Sequence, residues 1–231
     1  MLIDHRADSG IHVDSGVYVP QYDSALLRES MTRFFPPAGL RVADLCTGSG
    51  YLALAAAKEG AAAVTALDMC PLAVECAQSN AQRVGADITA LQGDWLRAKE
   101  FGPFDLVLAN PPYVPGDRRV LLGDAVPASV GTTLAFHAGV SGRLVLDPLC
   151  THAHELLDPH GVLLLLQSEF ADVSQTVYAL AATGLTAEVI AEQHVPFGPV
   201  MSARAPWLER MGRLDKGRRT ERLVVIAGRR P

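Results

Sequence analysis

The sequence predicts one doubly wound α/β domain built on a mainly parallel, seven-stranded sheet. Short apolar runs of strand length alternate along the chain with segments that carry helical spacing, the order expected of parallel strands joined by helices. Many of the runs end at glycine, proline or acidic residues, as strands do where they reach a turn. The chain has 231 residues, 49% of them hydrophobic, which is enough for one substantial core.

The first strand–helix–strand unit contains the clearest pattern. A small-residue turn follows the first apolar run, and a proline opens the second helix, where its missing N–H costs nothing. The predicted elements are, in order, strand Arg41–Leu45, turn Cys46–Gly50, helix Tyr51–Glu59, strand Ala63–Asp68 and helix Pro71–Val84.

The second half continues the alternation after a long irregular segment. Residues 113–140 are rich in Gly, Pro and Asp and exceed the usual length of a connection, so we expect a substrate-side loop there. A second such loop is expected at residues 193–220, where Gly198–Arg219 forms an insertion before the last strand. The other predicted elements are strands Ile88–Leu91, Phe104–Ala109, Gly161–Gln167, Leu185–Ala191 and Arg222–Ala227, and helices Gly142–Leu157 and Asp172–Ala182.

Composition argues against several functional classes. The apolar stretches are too short to cross a bilayer, and the first residues lack the basic and apolar regions of a secretory signal, so we expect a cytoplasmic protein. The four cysteines show neither Cys-x-x-Cys spacing nor nearby paired histidines suited to zinc. No metal site is predicted.

Charge is distributed unevenly along the chain. The net charge is −5, yet from Arg204 to Pro231 nine basic residues face three acidic ones. Such a segment can meet RNA or an acidic protein, but most charged runs are simply solvated, and we favour solvation here.

The turn after the first strand predicts a ligand site at a helix N-terminus. Gly48 and Gly50 allow backbone to approach a ligand closely, with Cys46 and Thr47 beside them. A dinucleotide fold would show Gly-x-Gly-x-x-Gly here and a pyrophosphate at the helix. Asp44 opens this turn instead, and its carboxylate would repel phosphate but suits an ammonium and a sulfonium. The pattern therefore favours S-adenosylmethionine over NAD.

Acidic residues at the ends of the second and third strands extend this site. Asp68, next to Met69, can accept hydrogen bonds from both ribose hydroxyls, although a strand-end cap is an equal alternative. Asp94 can accept from the adenine amine. Trp95 can pack on the adenine ring; the alternative is that it is an ordinary residue of the hydrophobic core.

The segment after the fourth strand carries the sharpest signal. Asn110 is followed by Pro111, Pro112 and Tyr113. The prolines remove backbone donors and fix φ, so the Asn side chain and the Pro111 carbonyl can be held as paired acceptors for an NH₂ group. Tyr113 offers a flat face for a planar amide or base edge.

Together these motifs resemble the HemK family of release-factor glutamine methyltransferases, a class I methyltransferase family with a Rossmann-like fold. Residues 17–27 are similar to a Tyr-x-Pro…Asp-(Ser/Thr)-x-x-Leu stretch of its short, Mtq-like branch, which lacks the N-terminal helical domain of the bacterial proteins. The resemblance implies that an arm of residues 1–40, with Tyr18 and Ser24, covers the cofactor on a domain of residues 41–231. It also implies a release-factor substrate and a small zinc-binding activator subunit.

Other functions fit the same residues. A nucleic-acid methyltransferase acting on a base amine is one, with RNA favoured over DNA because the chain is acidic and flipping a duplex base calls for a strongly basic surface. A small-molecule amine is a further substrate class. The non-enzyme alternative is an inactive methyltransferase-like binding subunit.

Overall fold

The computed structural model describes residues 10–117, 131 and 135–231, which form a single seven-stranded sheet with helices packed against it. The strand order is β3-β2-β1-β4-β5-β7-β6. The elements are α1 Tyr22–Phe34, β1 Arg41–Leu45, α2 Tyr51–Lys58, β2 Ala63–Asp68, α3 Pro71–Val84, β3 Thr89–Gln92, α4 Trp95–Ala98, β4 Phe104–Ala109, α5 Leu146–Leu156, β5 Leu157–Ser168, α6 Val173–Ala182, β6 Thr186–Pro196, α7 Pro199–Arg210 and β7 Thr220–Arg229.

The predicted mainly parallel sheet is confirmed. β1 to β5 pair in parallel, whereas β7 runs antiparallel between β5 and β6. The inner strands are almost entirely buried because helices cover both faces, which is why they read as continuous apolar runs. Strand order reverses between β1 and β4, and this switch point is where ligands bind in open α/β sheets.

Several boundaries differ from the sequence-based expectation. The helix expected from Gly142 begins only at Leu146. Gly142 has a left-handed backbone conformation, with φ +81°, and packs closely against the Tyr113 carbonyl, so it cannot form the first helical turn. The segment expected to be an irregular insertion contains α7, which begins with Pro199 and retains Pro206 in its interior. A short helix, α4, follows Asp94 and was not predicted.

The described part of the arm before β1, residues 10–40, folds onto the carboxyl ends of the strands. Helix α1 contacts β5, β6, β7 and α2, and it buries Leu27 and Met31. Arm residues preceding this helix reach the mouth of the switch point. Within the described part of the chain, no helix is both long and apolar enough to span a bilayer.

Candidate active site

A cavity of about 320 Å³ opens at the carboxyl ends of the parallel strands. Its size lies within the range typical of small-molecule sites. The sequence-predicted site residues that line it are Tyr18, Ser24, Cys46, Thr47, Gly48, Asp68, Met69, Asp94, Trp95, Asn110, Pro111, Pro112 and Tyr113. Asp44 and Gly50 are not among its lining residues.

Asp44 supports the turn from inside. It is fully buried, and its Oδ2 accepts hydrogen bonds from the Thr47 hydroxyl at 2.6 Å and the Ala53 amide at 3.0 Å. Burial raises the pKa of this carboxyl to about 7, and the two hydrogen bonds act in the opposite direction. The side chain thus fixes the conformation of residues that face the cavity.

Gly50 has a packing role in the same turn. It caps α2 with φ +81°, and a Cβ there would lie 3.1 Å from the Ala77 Cβ on α3. Only glycine meets both conditions without strain. Cys46 also has a positive φ of 60°, an unusual conformation for a non-glycine residue that turns the chain sharply after β1.

Asp68 and Asp94 retain acceptor capacity beside the turn. Asp68 accepts from the Gly48 and Cys70 amides, both at 2.9 Å, and burial raises its pKa. Asp94 caps α4 through Oδ1, which accepts from the Leu96 amide at 3.0 Å. A carboxylate offers about four lone-pair positions, so each residue can still accept from a ligand.

Asn110 is oriented by a buried carboxylate that lies 87 residues away in the sequence. Its Nδ2 donates to Asp23 Oδ2 at 3.1 Å and to the Ser24 hydroxyl at 3.3 Å. Asp23 Oδ2 and the Ser24 hydroxyl are the acceptors of these contacts, so the amide turns its NH₂ toward Asp23. The Asn110 Oδ1 is therefore the end left to face a ligand.

Asp23 also holds two tyrosines. The hydroxyls of Tyr18 and Tyr113 donate to the same Oδ2 at 2.8 and 3.2 Å, while the Ser24 amide donates to Oδ1 at 2.6 Å. Burial, followed by the charge of Asp23, raises the pKa of both tyrosines, so they remain donors. Sequence reasoning did not select Asp23, although it lies in the arm motif between Tyr18 and Ser24.

Comparisons with known proteins agree with this geometry. Residues 11–125 match the family described as the methyltransferase small domain. A Methanocaldococcus jannaschii protein named as a protein N5-glutamine methyltransferase is 30% identical over 189 residues, which cover 82% of this chain and 91% of that protein. The chain belongs to the HemK-like methyltransferases. S-adenosylmethionine is the cofactor of this class.

Other relatives of this HemK-like methyltransferase include bacterial release factor glutamine methyltransferases. The Deinococcus radiodurans protein is 40% identical over 126 residues, 54% of this chain and 44% of that protein. The chain spans about half the length of the bacterial relatives it matches. The fold also resembles the E. cuniculi Mtq2-Trm112 complex structure, with a TM-score of 0.60, 18% identity and coverage of 94% of this chain and 99% of that one.

The cavity of this methyltransferase fits its cofactor in donor and acceptor chemistry. The turn after β1 exposes backbone at the N-terminus of α2, where a helix favours negative groups such as a carboxylate. Asp68 and Asp94 keep acceptors for hydroxyl and amine groups, and the half-buried Trp95 lies beside them. These features agree with the ribose and adenine ends of S-adenosylmethionine.

The residues of the opposite wall of the cavity were not among the predicted site residues. The wall comes from the end of β6 and the start of α7, within residues 193–220 that were expected to form a substrate-side loop, and from the start of β7, which follows that segment. Its members are Val195, Pro196, Gly198, Pro199, Val200, Met201, Glu221 and Leu223. The other expected loop contributes residues 113, 114 and 135–137; residues 118–130 and 132–134 lie outside the described part of the chain.

Four of the nine basic residues in the C-terminal segment form ion pairs. Arg219 contacts Glu209 at 2.6 Å, Arg222 contacts Glu192 at 2.8 Å and Arg229 contacts Glu188 at 3.1 Å, while Arg218 pairs with Glu169. Exposed pairs of this kind add little stability. They do reduce the positive field that a nucleic acid would meet.

Proposed function

We propose that this protein methylates the side-chain amide nitrogen of glutamine in a protein substrate, and that the substrate is a peptide chain release factor. The orientation of Asn110 carries the proposal. Its Nδ2 is committed to Asp23 and Ser24, so its Oδ1 is available to accept from an NH₂ group. The release-factor substrate follows the names of the bacterial relatives.

Asn110 and Pro111 bind the two hydrogens of the target amide in this mechanism. Asn110 Oδ1 accepts one hydrogen bond and the Pro111 carbonyl accepts the other, which places the nitrogen in one defined orientation. An amide nitrogen is a weak nucleophile because its lone pair is delocalised, so alignment is where the protein contributes most. S-adenosylmethionine, when bound, supplies an electrophilic methyl group on a sulfonium.

Pro112 and Tyr113 complete the part of the site that binds the target amide. Pro112 fixes the backbone after Pro111 and removes an N–H that would compete for the acceptors. Tyr113 is 9% exposed, and its hydroxyl is held by Asp23, so its ring has little freedom to move. It presents a flat apolar surface against which a planar amide can pack.

We assign the remaining predicted residues to the cofactor. The backbone of Cys46, Thr47 and Gly48 binds its methionine end, with Asp44 and Gly50 holding that turn in shape. The other assigned residues are Asp68 and Met69 for the ribose, Asp94 and Trp95 for adenine, and Tyr18 and Ser24 of the arm for closure over the site. The arm, residues 1–40, then acts as a cover on the domain formed by residues 41–231.

A small activator subunit is proposed as a partner. The structural neighbour is a complex of Mtq2 with Trm112, and its name links that complex to methylation of the termination factor eRF1. We expect a small zinc-binding protein of this type to raise the activity of this chain. Activity assays with and without the added subunit test this part of the proposal.

The proposed function is tested by transfer of a tritiated methyl group from S-adenosylmethionine. Release factor, bulk RNA and DNA are assayed in parallel with the wild-type protein and with Asn110→Ala. We expect label on a glutamine of the release factor, loss of at least about 100-fold in kcat for Asn110→Ala, and little change in cofactor affinity. Label on nucleic acid alone would overturn the proposal in favour of a base-amine methyltransferase.

A further inference from the structure

Glu221 is a buried carboxylate on the substrate side of the cavity. It is the second residue of β7, pairs in register with Val195 of β6, and is 5% exposed. Because β7 is antiparallel, its first residues lie at the carboxyl ends of the parallel strands, beyond the Ser168–Leu223 pair that ends β5. Glu221 therefore lines the same cavity as Asn110 and Tyr113.

One oxygen of Glu221 has no hydrogen-bond partner within the described part of the chain. The Ser168 hydroxyl binds the carboxylate, but Oε2 is buried and unsatisfied. Buried polar atoms in folded proteins are almost always paired, and an unpaired carboxylate oxygen is costly. Such an atom at a cavity wall calls for a donor supplied by a ligand.

The other carboxylates that line the cavity in the described residues already have roles. Asp23 accepts from Tyr18, Tyr113, Asn110 and Ser24. Asp68 and Asp94 lie at the opposite side, beside the turn assigned to the cofactor. Glu221 is the remaining member, and within the described residues its Oε2 has no donor, although Ser168 binds the carboxylate.

We propose that Glu221 is a substrate-binding residue whose free carboxylate oxygen accepts a hydrogen bond from an N–H group of the methyl-accepting polypeptide. The inference rests on the proposed function and extends it to the wall formed by β6, α7 and β7. Polypeptide N–H groups are the expected donors because a glutamine held by Asn110 and Pro111 brings its own backbone to the cavity wall. A carboxylate gives this contact the strength of a charge-assisted hydrogen bond.

Protonation of Glu221 weakens this hydrogen bond, so binding of the methyl-accepting polypeptide depends on pH. Burial, followed by the charge of Asp23, raises the pKa of Glu221 to about 7, while Ser168 and Arg218 act in the opposite direction. The titratable and charged groups that face it from neighbouring elements are Tyr18, Asp23, Tyr113, Glu169 and Arg218. The affinity of the protein for the methyl-accepting polypeptide should therefore be higher at pH 8 than at pH 6.

The test compares Glu221→Ala, Glu221→Gln and the matched control Glu192→Gln, an exposed carboxylate on β6 that pairs with Arg222. Calorimetry measures binding of release factor to each protein loaded with S-adenosylhomocysteine, at pH 6 and pH 8, together with the affinity for S-adenosylhomocysteine itself. Glu221→Ala should weaken release-factor binding about 10- to 100-fold and raise KM more than it lowers kcat. Glu221→Gln retains a carbonyl acceptor, so it should lose less affinity for release factor than Glu221→Ala. Its affinity should also be the same at pH 6 and pH 8.

Each outcome separates this inference from the proposed function. Equal release-factor affinity for the wild-type protein and Glu221→Ala overturns the inference alone. Parallel losses of release-factor and S-adenosylhomocysteine affinity also overturn it, since they indicate a structural role. No binding of release factor by the wild-type protein overturns the proposed function, and the inference with it.

Discussion

A single carboxylate, Asp23, connects the N-terminal arm to the residues that follow β4. It is 4% exposed, and its Oδ2 accepts from Asn110 and from two tyrosines. Removing one partner of a buried hydrogen bond is costly, and without Asp23 the two tyrosine hydroxyls would lose the acceptor that holds them. Asp23 therefore determines which end of the Asn110 amide faces the cavity.

Substitution Asp23→Asn tests this orienting role. Asparagine has one carbonyl acceptor instead of two carboxylate oxygens and adds an NH₂ group, so the Asn110 amide is no longer forced to present its Oδ1. We expect kcat to fall about 10- to 100-fold, with cofactor affinity changed only a few-fold. Methyl-transfer kinetics and calorimetry with S-adenosylhomocysteine provide the two measurements.

Asp14→Asn is the matched control for Asp23→Asn. Asp14 lies on the same arm but has an exposed side chain that contacts His12 at 3.3 Å. It should retain wild-type kcat. A kcat for Asp23→Asn equal to that of the control would show that Asn110 is oriented by other means.

The position of Asn110 in the cavity could be predicted from sequence, but the orientation of its amide could not. Two prolines and a tyrosine after an apolar run are a local signal, readable from consecutive residues. The contact with Asp23 spans 87 positions and depends on the arm folding over the sheet. Glu221 was missed for a similar reason, because its burial depends on β7 pairing between β5 and β6.

At the scale of elements, parallel strands were easier to predict than the antiparallel edge. β1, β2 and β4 are short apolar runs bounded by turn residues, and the observed bounds equal the predicted ones. β6 is an edge strand with most of its residues exposed or half-buried, so its sequence lacks a continuous apolar pattern. Helix α7 contains an interior proline, Pro206, which is unfavourable inside a helix, yet the helix continues through it and buries Trp207 and Leu208.

The junction between α2 and α3 is constrained by Gly50. A Gly50→Ala substitution would place a methyl group 3.1 Å from Ala77 Cβ and 3.3 Å from Ala77 Cα, at a backbone φ of +81°. We expect the free energy of unfolding to fall by about 1–2 kcal/mol from the backbone conformation alone, and further from the contact with α3. Cofactor affinity should also fall, because the turn before α2 lines the cavity.

Gly85→Ala separates the two effects in Gly50→Ala. Gly85 ends α3 with φ +67°, but a Cβ there would meet nothing within 4 Å. Gly85→Ala should lower the free energy of unfolding through the backbone conformation alone, without a change in cofactor affinity. Urea denaturation and calorimetry on both variants measure this, and equal cofactor affinities would exclude close packing of Gly50 as a requirement of the site.

For the whole molecule, the cavity is built at a cost in stability. Burial raises the pKa of both Asp44 and Glu221 to about 7. Groups whose pKa is higher in the folded state bind protons there that the unfolded chain has released. Their stabilising contribution is present at low pH and is lost as pH rises from about 4 through 7. Buried carboxyl groups that lower the stability of the folded protein near neutral pH are expected where function requires them.

This linkage predicts how the free energy of unfolding of the cofactor-free protein depends on pH. Between pH 5 and pH 8, Glu221→Gln should become more stable relative to wild type by an amount on the order of 3 kcal/mol, because glutamine carries no charge to desolvate. Urea denaturation across this range measures the difference, and Glu192→Gln should remain parallel to wild type. A constant difference between Glu221→Gln and wild type would mean that Glu221 does not titrate near neutral pH. The same substitution would then weaken release-factor binding equally at pH 6 and pH 8, so stability and binding together test whether this carboxylate is kept for the substrate.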